Sequence, residues 1–293
     1  MQNPFPITQA RGRPLPSDSD WRGAFLSCIE AFPTPTDKSR ALYFYTQDQY
    51  ADLDGAASLI RKDPFLSVEV VRSSNSAVYG SRGADSLEDA VNAIGLERLG
   101  RIALRIWLKN VIPQSLATYF LSGSSFVNRS LASGAAMRYL YQGETEQAET
   151  AYAIGLLHSI GKIVVNEAVK QSKMKDLCFE EKTLRRLAEA ERAEFGMTHA
   201  EVGSYALKSW GFSESVYAPI GVQFSKNKGE DSDDWAQSLA VSRFVADRVI
   251  DSIRGNPDPM RSEAASRYRG IRLGDVFEST LAVVEAEMIE ELN

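Results

Sequence analysis

The sequence predicts an all-α protein built of two packed helical subdomains. Three observations point there. Almost every long segment repeats its apolar residues at helical spacing, and almost none alternates as a half-buried strand would. Several expected helix starts also carry capping residues. Finally, the 293 residues are 44% hydrophobic, 25% charged and 10% aromatic, with 20 Gly, 11 Pro and 2 Cys. That is close to average globular composition, so disorder, collagen-like repeats and a disulfide scaffold are excluded. The length exceeds the usual single core, hence two subdomains.

Taken in order, residues 1–16 hold Pro4, Pro6, Pro14 and Pro16 without an apolar signal core, and read as an arm. Asp63 before Pro64 is an N-cap with proline at the first helical position. Ser86 with Asp89 resembles a capping box, and Gly95 stops the helix it opens. Leu99, Ile102, Ala103, Ile106 and Asn110 share one face of the next helix, with Arg98, Arg101, Arg105 and Lys109 on a solvated opposite face. Breaks are expected at Pro33 to Pro35, Ser81 to Asp85, Pro113, Ser122 to Ser125, Lys226 to Asp234 and Gly255 to Met260. The stretch Lys226 to Asp234 is the most linker-like. From about Leu273 to Leu292 the stripe Phe277, Leu281, Val284 and Met288 predicts an amphipathic helix that packs back on the body.

Charge and motifs narrow the function. Lys+Arg is 33 against Asp+Glu 39, a net charge of −6. That disfavours nucleic acid and anionic membrane as partners. No apolar run spans a bilayer, since His158, Ser159 and Lys162 break Ala151 to Val165. Cys28 and Cys178 have no metal or redox spacing, and a cytoplasmic location is expected. Gly155 to Lys162 fails as a phosphate loop on glycine spacing and on Ile163, where a Ser or Thr is needed. Gly80-Ser81-Arg82-Gly83 reads as a plain turn. Ser159 beside His158 makes no local triad, because adjacent helical residues do not face each other.

Two stretches carry a resemblance. One runs from Asp63-Pro64-Phe65-Leu66 to Asn75-Ser76-Ala77 and on through Ser86 to Gly95. The other is Gly155-Leu156-Leu157-His158-Ser159-Ile160-Gly161-Lys162, supported by Thr198-His199-Ala-Glu201-Val-Gly203 and Trp210-Gly-Phe. Together, from about Leu15 to about Ile250, they resemble the HDOD domain, a degenerate branch of the HD metal-dependent phosphohydrolase superfamily. The resemblance implies a compact multi-helix HD-like bundle and a link to bacterial signalling. The expected organisation is an arm over 1–14 and a helical subdomain over 15–112. An HD-like subdomain over 113–254 and a C-terminal helix region over 255–293 follow.

In the catalytic superfamily one early His, a His-Asp pair and a later Asp hold metal, a donor set suited to a divalent ion that activates water. Here His158 matches the His of the pair, Ser159 stands in place of its Asp, and Asp247 resembles the last Asp. The early His falls near Val127, Asn128 and Arg129, where a cation would repel a metal. The resemblance therefore implies a vestigial site of His158, Ser159, His199, Asp247 and Arg129, with no catalytic residue, no metal and no cofactor. The reading this favours is a non-catalytic regulatory module acting on signalling-protein partners. One alternative is a nucleotide-like ligand sensor using Arg129. The other is a phosphohydrolase or cyclic-nucleotide phosphodiesterase rebuilt on His158, His199 and Asp247. A homodimer is a further possibility.

Overall fold

Helical period becomes helix along nearly the whole chain. The computed structural model describes residues 21–32, 38–74, 84, 86–172, 174, 176–180, 183–225, 230–255, 260 and 263–292. Its elements run α1 (Trp21–Ala31), α2 (Lys38–Thr46), α3 (Leu53–Ile60), α4 (Pro64–Ser74), α5 (Leu87–Ile94) and α6 (Leu96–Val111). A hairpin follows, β1 (Ser115–Leu116) and β2 (Leu121–Ser122), joined by a 3-10 turn over Ala117–Tyr119. Then come α7 (Gly123–Leu140), α8 (Thr145–Leu157), α9 (Gly161–Gln171), α10 (Leu184–Phe195), α11 (His199–Ser209), α12 (Glu214–Val222) and α13 (Glu230–Ile253). A second hairpin, β3 (Arg267–Tyr268) with β4 (Ile271–Arg272), leads into α14 (Leu273–Leu292). The fold is all-α. The two hairpins depart from the expectation, because two-residue strands are too short to show a period of two.

Contacts divide the chain into two units, each discontinuous in sequence: residues 1–32, 113–126 and 157–240, and residues 33–112, 127–156 and 241–293. The units are interleaved, where the sequence suggested consecutive stretches. In the first unit α9 packs on α1 and α11, and α11 on α12. Its aromatic core has the Trp21 ring edge-on to Phe195 at 4.8 Å and Phe179 edge-on to Phe195 at 5.6 Å. Trp210 stacks on Phe32 and its indole N–H donates to the Ile29 carbonyl at 3.3 Å.

In the second unit the central element is α6, packed by α2, α4 and α5. The caps read from sequence are in place. Asp63 Oδ1 accepts the N–H groups of Phe65 and Leu66, and Ser86 Oγ accepts that of Asp89. Gly95, at φ 78°, ends α5 and begins α6.

The solvated basic face expected on α6 is only partly there. Arg105 is 3% exposed and donates to Ser73 Oγ at 3.1 Å. Arg101 pairs with Glu149, which also receives Arg138 Nε. Arg101 and Arg105 lie where α6 meets other helices and serve internal acceptors, while Arg98 is exposed as expected. Asn110, expected on the opposite face, is also exposed.

Two expected breaks are also corrected. Residues 230–234 open α13, and 226–229 lie outside the described residues. Ser122 Oγ accepts the Ser125 N–H at 3.1 Å, so Gly123 to Ser125 begin α7. Val276, Phe277, Thr280 and Val284 of α14 are buried and Leu281 half-buried, as packing on the chain's own body requires. Residues 1–20, Pro33 to Pro35, Asn75, Ser76 and Gly80 to Gly83 fall outside the described residues. No described helix is long and apolar enough to cross a membrane.

Candidate functional site

α8 ends at Leu157, where the chain re-enters the first unit, and His158, Ser159 and Ile160 form a buried turn before α9. His158 and Ser159, treated above as adjacent helical residues, thus lie in a turn between two helices. The turn is closed by Ile160 N–H to Leu157 O at 2.9 Å and Lys162 N–H to Ser159 O at 2.9 Å. Gln223 Nε2 donates to the His158 carbonyl at 3.0 Å.

The turn runs into a glycine that a close backbone approach requires. A Cβ on Gly161 would overlap the His199 carbonyl oxygen and lie 2.5 Å from the Gly203 nitrogen. The start of α9 therefore crosses α11 backbone to backbone, and the glycines of both family-like motifs mark that crossing.

His199 is the first residue of α11. Thr198 caps the helix with Glu201 in a reciprocal capping box, and Glu201 also receives Arg192 at 2.9 Å. Both the backbone N–H and Nδ1 of His199 are bonded to the carboxylate of Glu191, on α10, at 2.8–2.9 Å. The Tyr119 hydroxyl donates to the same carboxylate at 2.7 Å. Both the Glu191 and His199 side chains are 0% exposed.

Burial pushes the Glu191 carboxyl up, but the His199 charge, the His199 N–H donors and the Tyr119 hydroxyl outweigh it and hold the carboxyl below the usual range. Burial and the Glu191 charge raise the Tyr119 phenol well above its ordinary value. Lys162 places its ammonium 5.2 Å from the Tyr119 ring centre.

The arrangement joins α10, α11 and the first hairpin through one fully bonded carboxylate. Sequence reasoning missed Glu191 and Tyr119. Glu191 sits in Glu189-Ala-Glu191-Arg192, which looks like any solvated face, and Tyr119 sits in a hairpin too short to show a period.

The other two expected residues lie in the second unit. Arg129 of α7 forms an ion pair with Asp247 of α13. One turn along each helix, Ser133 Oγ and Ser242 Oγ are 3.1 Å apart. Arg243 also feels Asp247: burial lowers its guanidinium to about 10, partly offset by the Asp247 charge. Asp247 thus serves one arginine directly and a second at longer range. Arg248, its chain neighbour, turns to Asp251 at 3.6 Å.

The structure thus brings Arg129 and Asp247 together, and places His158, Ser159 and His199 in the other unit. Among the described residues no group of three or more His, Cys, Asp or Glu is placed to hold a metal ion.

Comparison with known families identifies the class of this all-helical chain. The HDOD domain family model matches residues 32–225. The chain belongs to the HDOD family. No curated protein matches it.

Among solved structures it is similar to a provisionally assigned phosphohydrolase from Shewanella amazonensis SB2B. The identity is 21% and the TM-score 0.66, covering 92% of this chain and 98% of that one. It is also similar to an HDOD domain protein of unknown function from Geobacter sulfurreducens, at 22% identity and TM-score 0.62, with 93% of each chain covered. A provisionally assigned signal transduction protein from Marinobacter aquaeolei VT8 aligns at 17% identity and TM-score 0.63, over 92% of this chain and 65% of that one. At these identities the likeness is one of fold.

Proposed function

We propose that the chain is a non-catalytic regulatory module that acts through signalling-protein partners, in which His158, Ser159 and His199 of the first unit and Arg129 and Asp247 of the second do not serve as metal ligands. The observation that carries this reading is the Arg129 guanidinium on Asp247. A divalent ion needs anionic oxygens or imidazole nitrogens directed at it. Asp247, about half exposed, pairs with the Arg129 cation instead, and Ser159 offers a neutral hydroxyl. His199 further commits Nδ1 to Glu191. These residues do not fit a divalent metal.

The same ion pair counts against a nucleotide sensor. The anion contact expected of Arg129 is supplied from within the chain by Asp247, and an incoming phosphate would have to displace it. Localisation in the cytoplasm belongs to this proposal and rests on the signalling role.

The test is turnover by the purified full chain. Nucleoside mono-, di- and triphosphates and cyclic mono- and dinucleotides are offered with Mg²⁺, Mn²⁺ or Fe²⁺. No product above the blank is expected. Steady hydrolysis by the wild type that disappears in His158→Ala would overturn the proposal. The same panel is expected to leave Tm unchanged, whereas a ligand at a hundred times its Kd adds about 2.7 kcal/mol.

A further inference from the structure

Tyr119 and Phe120 are chain neighbours with opposite surroundings. Tyr119 is buried, stacks on Phe179 at 6.0 Å, meets His199 edge-on at 6.3 Å and donates to Glu191. Phe120 is 60% exposed. Its backbone lies at φ 51°, ψ 36°, the left-handed region that a bulky side chain avoids. Among the described residues only Arg269 shares a positive φ without being glycine, and Arg269 has an evident return: its guanidinium lies 4.1 Å from the Tyr141 ring centre and pairs with Glu144. Phe120 exposes most of its ring, so burial of its own side chain does not offset its strain.

The bonds that hold the strain lie beside it. The Thr118 N–H donates to Asn166 Oδ1 at 3.2 Å, and the Thr118 carbonyl accepts the Phe179 N–H at 2.9 Å. With the Tyr119 hydroxyl, these fix the side of the turn that precedes Phe120. The strand pairs Ser115 with Ser122 and Leu116 with Leu121 close it at the base.

We propose that the β1–β2 hairpin is a two-position strap, bolted shut by Tyr119 on Glu191 and loaded by the strained backbone at Phe120. When the bolt is drawn, residue 120 leaves the left-handed region. Tyr119 and Phe120 then form an adjacent aromatic pair on the outside of the first unit, and Glu191 and His199 lose their cover. Strain held at a single position in this way is characteristic of segments that switch. The inference concerns the hairpin alone and does not depend on whether the protein is catalytic.

The test is residue-resolved amide hydrogen exchange on the full chain. It uses Thr118 and Phe179, whose N–H groups are bonded only while the strap is shut, against core amides of α11. In the wild type the two reporters are expected to exchange faster than the α11 amides. Tyr119→Phe keeps the ring and removes the bolt, and is expected to speed the reporters about tenfold, the effect of losing one hydrogen bond to a charged acceptor. Phe120→Asn, a residue that tolerates the left-handed region, is expected to slow them several-fold, about the factor its lower strain implies. Reporters that exchange together with α11 in the wild type would overturn the strap. So would reporters unmoved by Phe120→Asn, an arm that stands even where Tyr119→Phe weakens the whole fold.

Discussion

Gly161→Ala lowers the unfolding free energy by about 3 kcal/mol or more, the upper range for overpacking a rigid contact. The added methyl would overlap the His199 carbonyl oxygen and press on the Gly203 nitrogen. Backbone atoms cannot rotate away as a side-chain tip can, so α9 and α11 must separate. That separation would also loosen the Glu191 clamp, because His199 opens α11. Gly203→Ala meets Gly161 at 2.9 Å and is expected to cost less than Gly161→Ala. Gly143, with open space where a Cβ would stand, serves as the control and should stay within about 0.5 kcal/mol of wild type when changed to alanine. Urea midpoints at unchanged slope measure all three. A Gly161→Ala protein as stable as the Gly143→Ala protein would show that the two helices are not in backbone contact.

Glu191→Gln is expected to cost about 3 kcal/mol at neutral pH, since it removes a buried carboxylate that accepts from Tyr119 and the His199 backbone N–H and bonds His199 Nδ1. The loss carries a pH signature. The folded carboxyl is held below its ordinary value of about 4.3. Its contribution is therefore complete above that unfolded value and disappears as pH falls through the lower folded value. Wild-type stability should drop in acid below about pH 4, while the uncharged amide introduced by Glu191→Gln has no such titration. The two stability curves should converge at low pH. Parallel curves from about pH 7 to about pH 3 would mean that the Glu191 carboxylate does not carry the clamp.

The fold was legible because helical period and capping chemistry are local. Asp63, Ser86 and Gly95 each act on backbone groups within four residues of themselves, and each acts as its type suggests. Arg105 shows where that reading stops. Its place on the polar face of α6 follows from spacing alone, but whether a face meets water or another helix depends on residues far away in sequence.

The site divides in the same way. Ser159 in place of an aspartate is visible in one dimension. The bond from Glu191 to His199 spans eight residues and a helix boundary, and that to Tyr119 spans 72. Nothing in Glu191's own neighbourhood distinguishes it from Glu189. Arg129 reads in sequence as a cation that would repel a metal, and its actual partner, Asp247, lies 118 residues away on another helix.

The Arg129–Asp247 pair and the His199–Glu191 bond motivate the proposal that the surviving ligand-like groups hold no metal. The most direct measurement is metal content by plasma mass spectrometry, on untagged protein purified without chelator. The account predicts below about 0.1 equivalents of Fe, Mn, Zn or Mg per chain, because isolated imidazole and hydroxyl donors bind a divalent ion too weakly to survive purification. About one or two equivalents, lost in His158→Ala, would contradict it and return the chain to the metal-dependent phosphohydrolases.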